Sequence, residues 1–164
     1  MAPYDPAGAA PYDRGMPDDT PLTRTSFRKL SPILAPRPLP ELPERRWTDD
    51  EWDRIRHGVR ARGMDDRWHV FAEGEVVHVH RSWTGNGIYE VRFAPAEGGE
   101  GGWRIASAVV ETDPQRYRSR GGEFERVTLE LVLSTAVLGE PARELAARQK
   151  ELLALPAEGL PEQE

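Results

Sequence analysis

The sequence contains no cysteine, and this excludes disulfide bonds and thiolate metal ligands within it. It also lacks any run of about 18 apolar residues, so we expect no membrane-spanning helix. The N-terminal residues lack the basic and then apolar order of a signal peptide. Together these absences favour a cytoplasmic location and predict no membrane partner.

Lysine is nearly absent, because 20 of the 22 basic residues are arginine and only Lys29 and Lys150 remain. With abundant alanine, glycine and proline, this bias indicates a bacterial, GC-rich genome. The formal net charge is −6 at pH 7. An acidic chain is poorly suited to binding the phosphate backbone of nucleic acids, so we do not expect a nucleic-acid partner.

Proline is concentrated at one end of the chain, with ten of the 15 prolines in residues 1–46. A segment with so few β-branched residues buries too little apolar surface to offset its ordering entropy. We therefore predict a disordered, proline-rich tail over residues 1–46, an α+β domain over 47–139, and a C-terminal helix with an acidic tail over 140–164. The N-terminal tail is also a candidate for binding a protein partner.

A first helix is predicted over residues 49–62. Thr48 stands three residues before Glu51, which is the spacing of a capping box. Apolar residues recur at helical spacing after it, and Gly63 is the expected end of the helix.

Two alternating runs flank Glu73-Gly74 and predict a β-hairpin with a two-residue loop. Such a loop would place His69 opposite His78. One face of this hairpin is the more apolar and is assigned to the core. The residues of that face are Trp68, Val70, Ala72, Val77 and Val79.

Four further elements are predicted after the hairpin. Residues 87–95 and 103–112 read as two more strands, residues 123–139 as a helix that ends at Gly139, and residues 140–155 as a second C-terminal helix. Consecutive strands followed by helices are typical of the α+β class. We predict a four-stranded antiparallel meander with one N-terminal helix and two C-terminal helices.

Three histidines are predicted to share the other face of the hairpin. His78 and His80 stand two residues apart and point the same way, and His69 lies across the hairpin within about 5 Å at the Cβ atoms. Three imidazoles with an open fourth position suit zinc, so these residues form a candidate metal site. The alternative is a partly exposed sheet face that tolerates polar rings and holds no cofactor.

The segment RSWTGNG follows the hairpin and mixes one aromatic ring with polar and flexible residues. Trp83 is a candidate platform on which a planar ring of a ligand stacks. The hydrogen-bonding residues around it are Arg81, Ser82, Thr84 and Asn86. The alternative is a structural turn, because Asn-Gly is a strong turn signal and a tryptophan in a turn commonly packs over the edge of the core.

A loop before the first C-terminal helix carries Arg116, Arg118 and Arg120. Arginine forks and free helix N–H groups bind phosphate, so we include Arg118 among the candidate ligand-binding residues. Glu123 and Glu125 count against this interpretation, because they already place negative charge at the start of the helix. The alternative is a solvated loop.

Residues 64–93 resemble a family of small bacterial proteins in which a DDRW-like start leads into a hairpin ending in HRSWTG and then a strand of the form IYxVRF. Some members are linked to ADP-ribosylglycohydrolase-type proteins. The resemblance implies that Trp83 stacks on adenine and that an arginine at position 81, 116, 118 or 120 meets a phosphate. The chain lacks the acidic metal-binding motifs and the length of a true ADP-ribosylglycohydrolase.

These observations lead to three hypotheses of function. The first is a non-catalytic binding or accessory module for ADP-ribose or a related nucleotide, with its site at the RSWTG turn. The second is a metal-dependent hydrolase that uses the three histidines. The third is a protein-interaction domain of an immunity or defence system that acts through its N-terminal tail.

Overall fold

The computed structural model describes residues 20–63, 66–98 and 101–155. They form an α+β fold with a five-stranded antiparallel sheet in the order β1-β5-β4-β3-β2. The strands are β1 Pro36–Pro38, β2 Trp68–Glu73, β3 Val76–Arg81, β4 Gly87–Pro95 and β5 Trp103–Glu111. The α-helices are α1 Asp49–His57, α2 Gly122–Leu131 and α3 Arg143–Leu153, with a 3-10 turn at Arg24–Ser26 and a π-helical segment at Val132–Val137. No helix in the described ranges is long and apolar enough to cross a membrane.

Strand β1 was missed, so the predicted count of four strands was wrong. It lies inside the segment expected to be a disordered tail and pairs antiparallel with β5, with Arg37 opposite Val110. The carboxylate of Glu111 accepts backbone N–H groups of Leu34 and Ala35 at 2.8 and 2.9 Å and so fixes the chain before the strand. Residues 1–19 of the predicted tail lie outside the described residues.

Helix α1 begins as predicted and ends earlier than predicted. Thr48 and Glu51 form both hydrogen bonds of the capping box. The helix ends at His57, and Gly58 follows it with a φ of 84°. Glycine is required at this position because a Cβ atom there would lie 2.3 Å from the carbonyl oxygen of Val70. Val59 then exchanges two backbone hydrogen bonds of 2.9 Å with Val70, so the chain runs along the edge of β2 instead of continuing the helix to Gly63.

The hairpin of β2 and β3 has the predicted faces with a different register. Its loop is Gly74-Glu75, and His69 pairs with His80 instead of His78. The observed pairing differs from the predicted pairing by two residues. Because side chains along a strand alternate between the two faces with a period of two residues, every side chain keeps its predicted face. Val70 and its neighbours across the hairpin are fully buried, which confirms the core face.

The core lies between this face of the sheet and helices α1 and α2. Tyr89, Val91 and Phe93 of β4 are fully buried there. Trp52 of α1 fits between two aromatic rings, with its centroid 4.7 Å from Phe93 and 4.8 Å from Trp103. The apolar side chains of the helices and the inward-facing side chains of the strands thus pack together in a single core.

The two C-terminal helices exist with altered ends. The helix predicted over residues 123–139 is α-helical to Leu131 and π-helical from Val132 to Val137. Helix α3 follows after Ala142, which has a φ of 42°. It packs on α2, and the side-chain amide of Gln149 donates a 3.0 Å hydrogen bond to the hydroxyl of Thr128.

The N-terminal segment, defined as residues 20–35, packs on the histidine face of the β2–β3 hairpin. The ring of Phe27 lies 4.7 Å from His69 and 5.5 Å from Phe71, measured between centroids. Ser31 donates its N–H to the carbonyl of Gly85 at 2.9 Å and accepts the N–H of Gly87 at 2.8 Å. His78 and His80 are therefore buried and His69 is half-buried, whereas the alternative drawn from the sequence was a partly exposed face.

Candidate functional site

A cleft of about 550 Å³ opens where the start of β2, the end of β3, the loop before α2 and helices α2 and α3 meet. Five arginines line it, and we name it the arginine cleft after Arg67, Arg81, Arg116, Arg118 and Arg120. No aspartate or glutamate lines it among the described residues. Positive charge therefore dominates its surface, although the chain as a whole is acidic.

Aromatic rings orient two of these arginines. The guanidinium carbon of Arg81 lies 4.6 Å from the ring centroid of Trp68 and 5.9 Å from that of Tyr117. Arg120 lies 5.7 Å from the ring centroid of Phe124 and donates to the carbonyl oxygens of Leu153 and Leu155. These cation–π contacts hold both guanidinium groups without neutralising their charge.

Arg116 connects the cleft to the turn after β3 and to the end of β5. One of its terminal nitrogens donates a 2.6 Å hydrogen bond to the side-chain oxygen of Asn86. Its Nε lies 3.6 Å from a carboxylate oxygen of Glu111. Burial alone would raise the pKa of Glu111, but three backbone N–H groups and the charge of Arg116 lower it, so the pair is ionised.

Arg67 and Arg118 are exposed at the rim of the cleft. Neither guanidinium has a hydrogen-bond or ion-pair partner among the described residues. Both groups are therefore free to meet an incoming anion, and no existing contact has to be broken first.

Behind the cleft, the fully buried carboxylate of Glu125 holds the loop that carries the arginines. It accepts hydrogen bonds from the hydroxyls of Tyr89 at 2.5 Å and Tyr117 at 2.7 Å. It also accepts the hydroxyl of Ser119 at 3.2 Å and the backbone N–H of Arg120 at 3.0 Å. Burial raises the pKa of both tyrosines, so their hydroxyls stay protonated and act as donors.

The two glutamates that argued against an anion site do not face the cleft. Glu125 is used by the buried network, and Glu123 is paired with Arg148 at 2.8 Å. The objection drawn from the sequence assumed that both carboxylates lie at the helix start as free charges. Because both glutamates are engaged by other residues, the arginines of the loop supply the dominant charge on the side that faces the cleft.

The predicted ligand-binding residues do not all line the same cavity. Arg81 and Arg118 line the arginine cleft, whereas Ser82 and Trp83 line another depression, of about 420 Å³. The indole of Trp83 is 65% exposed, so it does not pack over the edge of the core.

The remaining two residues of the predicted set hold the turn and its neighbours. Thr84 accepts the backbone N–H of Asn86 at 3.2 Å, and the side chain of Asn86 binds Arg116. Ser82 does similar work, because its hydroxyl donates to the carbonyl of Asp66 at 2.8 Å. These polar groups are already engaged with the protein.

Gly85 is required by the approach of the N-terminal segment. Its φ is 79°, and a Cβ atom there would lie 2.2 Å from the carbonyl oxygen of Lys29. The sequence left open whether this glycine serves a ligand or a turn. The contact made at this position is with the protein's own backbone.

The three histidines share one face of the hairpin and are used in separate contacts. The Nδ1 atom of His69 accepts the backbone N–H of Ala61 at 3.0 Å, and the Nδ1 atom of His80 lies 2.8 Å from the carbonyl oxygen of Gly85. The Nε2 atom of His78 lies 3.0 Å from a carboxylate oxygen of Glu73. Burial lowers the pKa of all three imidazoles.

These contacts do not produce a metal centre. Within the described part of the chain, no group of three histidine, cysteine, aspartate or glutamate side chains is placed to hold a metal ion. The rings of His78 and His80 are 6.5 Å apart between centroids, and each is fixed by a different partner. The histidine face therefore gives no support to the zinc alternative.

Arg67 was not among the predicted site residues, although it lines the cleft. The sequence shows only a basic residue before a strand, which is a common pattern. Its position depends on the pairing of β2 with β3, because the backbone carbonyl of Arg67 accepts the N–H of Ser82 at 2.8 Å. This contact joins the entry of β2 to the RSWTG turn.

Comparison of the chain with models of protein families, with curated proteins and with solved structures finds no match.

Proposed function

We propose that this protein is a binding module for a nucleotide-type ligand such as ADP-ribose, and that the arginine cleft is its site. The observation that carries the proposal is the convergence of five arginines, with no lining carboxylate among the described residues, on one cleft of an acidic chain. Such a cleft attracts anions and repels cations at long range.

The chemistry of the arginines favours phosphate over a carboxylate or a simple ion. A guanidinium presents a planar fork of donors that binds two phosphate oxygens at once. Arg67 and Arg118 supply free forks, and the aromatic contact of Arg81 holds a third in place. A diphosphate presents enough oxygens to engage several forks together.

The rest of the cleft suits the organic part of a nucleotide. The ring of Phe124 and the side chains of Leu131 and Val132 offer apolar surface, and Gln149 and Thr128 offer polar groups. The volume of about 550 Å³ lies within the range of ordinary small-molecule sites. ADP-ribose is the first compound to test because of the resemblance in the HRSWTG segment.

Calorimetric titration with ADP-ribose tests this proposal. We expect saturable binding to the wild-type protein and affinity weaker by about tenfold or more in Arg118→Gln, since a charge-assisted contact to phosphate contributes about 1.5–3 kcal/mol. The matched control is Arg92→Gln, because Arg92 is an exposed arginine of β4 outside the cleft. Absence of binding to the wild type, or an equal loss in both variants, would contradict the proposal.

A further inference from the structure

Two further depressions lie next to the arginine cleft. A second depression, of about 340 Å³, shares Arg67, Trp68 and Thr135 with it. That depression in turn shares Ala61 and Arg62 with the depression of about 420 Å³ beside Trp83. The three hollows therefore form one track over the surface, with the exposed indole at one end.

Positive charge follows this track through its middle section. Arg60, Arg62 and Arg67 line the second depression, and Asp66 supplies its one carboxylate among the described residues. Arg60 is held by the carbonyl of Ser26, and Arg62 lies 3.9 Å from Asp66 with most of its side chain exposed. A ligand that leaves the arginine cleft in this direction stays next to guanidinium groups.

The track ends at the exposed aromatic ring of Trp83, which is carried by a fixed turn. Of the five tryptophans, Trp83 is the only exposed one, and the turn that carries it is fixed on both sides. The N–H of Ser82 donates to the backbone carbonyl of Arg67 at 2.8 Å, and the N–H of Gly85 donates to the carbonyl of Arg81 at 2.8 Å. An exposed indole carried by a fixed turn next to cationic side chains is suited to stacking on a nucleobase.

We infer that the ligand of this track is a dinucleotide, meaning two nucleosides joined through phosphate groups. One nucleoside occupies the arginine cleft, the phosphates lie along Arg67, and the second base stacks on Trp83. This inference rests on the proposed function and adds the second ring. It also gives Trp83 a role distinct from the phosphate contacts of the cleft.

A matched pair of ligands measures the contribution of the second base separately from that of the adenosine and the phosphates. ADP-ribose and diadenosine diphosphate share one adenosine and one pyrophosphate, and only the latter carries a second adenine. We expect calorimetry on the wild-type protein to show tighter binding of diadenosine diphosphate by about fivefold or more, the lower end of what one stacked base contributes. Trp83→Ala should remove this advantage and leave the affinity for ADP-ribose unchanged.

The variants and outcomes are chosen to keep this inference separable from the proposed function. Trp83→Phe keeps a ring and should retain part of the advantage, whereas Arg118→Gln should weaken both ligands. If ADP-ribose binds but diadenosine diphosphate binds no better, or if Trp83→Ala weakens both ligands equally, the dinucleotide inference is overturned and the cleft proposal stands. If neither ligand binds, both fail. An oligoadenylate that binds more tightly than diadenosine diphosphate would replace the dinucleotide by a nucleic-acid strand.

Discussion

At the scale of single residues, Glu125 fixes the loop that carries three of the cleft arginines. Its buried carboxylate accepts four hydrogen bonds, two of them from tyrosine hydroxyls. A carboxylate out of contact with water is tolerated when its oxygens are satisfied in this way. The sequence could not reveal this role, because a glutamate in the first turn of a helix ordinarily faces solvent and the helix dipole explains it.

Replacing Glu125 with alanine should therefore destabilise the protein strongly. We expect Glu125→Ala to lower the free energy of unfolding by about 3 kcal/mol, since it leaves several buried donors without an acceptor. Tyr117→Phe removes only one donor and should cost about 1 kcal/mol. Urea denaturation of both variants measures the difference, and a smaller loss in Glu125→Ala than in Tyr117→Phe would refute the role given to the carboxylate.

Arg118 and Arg81 illustrate what residue patterns can predict about a site. Arg118 was chosen from local sequence as a possible phosphate ligand and Arg81 as a hydrogen-bonding residue beside Trp83. The structure places both on one cleft. Arg67 was not chosen, because its neighbours in space come from β3 and from the loop before α2. A contact that depends on strand pairing leaves no periodic signal near the residue itself.

At the scale of elements, the N-terminal segment and strand β1 explain most of the difference between the predicted and the observed fold. Proline is disfavoured inside sheets because it lacks an N–H donor, so the sequence around Pro36 and Pro38 argued against a strand. An edge strand tolerates proline where the missing N–H would face away from its neighbour. Strand β1 is at the edge of the sheet, and among the described strands it pairs with β5 alone.

The hairpin and the helices were predictable for the opposite reason. Alternation in β2 to β5 and the capping box of α1 are local signals, and each was confirmed in the structure. The register of the hairpin was not predictable, because two-residue loops at Glu73-Gly74 and at Gly74-Glu75 are both compatible with the pattern. The early end of α1 was missed because it depends on the approach of Val70 to Gly58.

Close packing of the N-terminal segment against the RSWTG turn predicts a difference between two glycines. Gly85 and Gly74 both have positive φ, but only Gly85 would bring a Cβ atom against another backbone, at 2.2 Å from the Lys29 oxygen. Gly74→Ala should cost about 1 kcal/mol from its left-handed backbone alone. Gly85→Ala should cost at least about 1 kcal/mol more in urea denaturation, because the segment must move away. Equal costs would contradict the close contact.

At the scale of the whole molecule, the covered histidine face makes stability depend on pH. His78 and His80 are nearly inaccessible to solvent, and burial lowers the pKa of both below the ordinary value of 6.5. The charged groups around His78 are Glu73, Glu90 and Arg24, and the two carboxylates oppose the shift without cancelling it.

The sign of the effect follows from proton linkage. Below pH 6.5 the histidines of the unfolded chain take up protons that the folded protein resists, so acidification favours unfolding until the folded pKa values are passed. We expect the urea midpoint to fall as the pH is lowered from about 7.5 to about 5.5, and to fall less in His78→Gln. A wild-type urea midpoint that stays constant or rises as the pH is lowered would rule out the buried, neutral imidazoles.

The distribution of charge is also a property of the whole molecule. An acidic chain with an arginine-lined cleft attracts an anion to one place while the rest of its surface repels it. Net charge alone argued against a nucleic-acid partner, but it carries no information about where the 22 basic residues lie. The fold determines that clustering, and the proposed function depends on it.

The central claim is that a nucleotide-type anion binds to the arginine cleft. The most direct test is a series of ¹H–¹⁵N spectra of the arginine side chains, recorded on the full chain during titration with ADP-ribose. We predict that the Nε–H signals of Arg67, Arg81 and Arg118 shift progressively and saturate, while that of Arg92 stays in place. Unchanged cleft signals, or shifts of equal size at Arg92, would contradict this account.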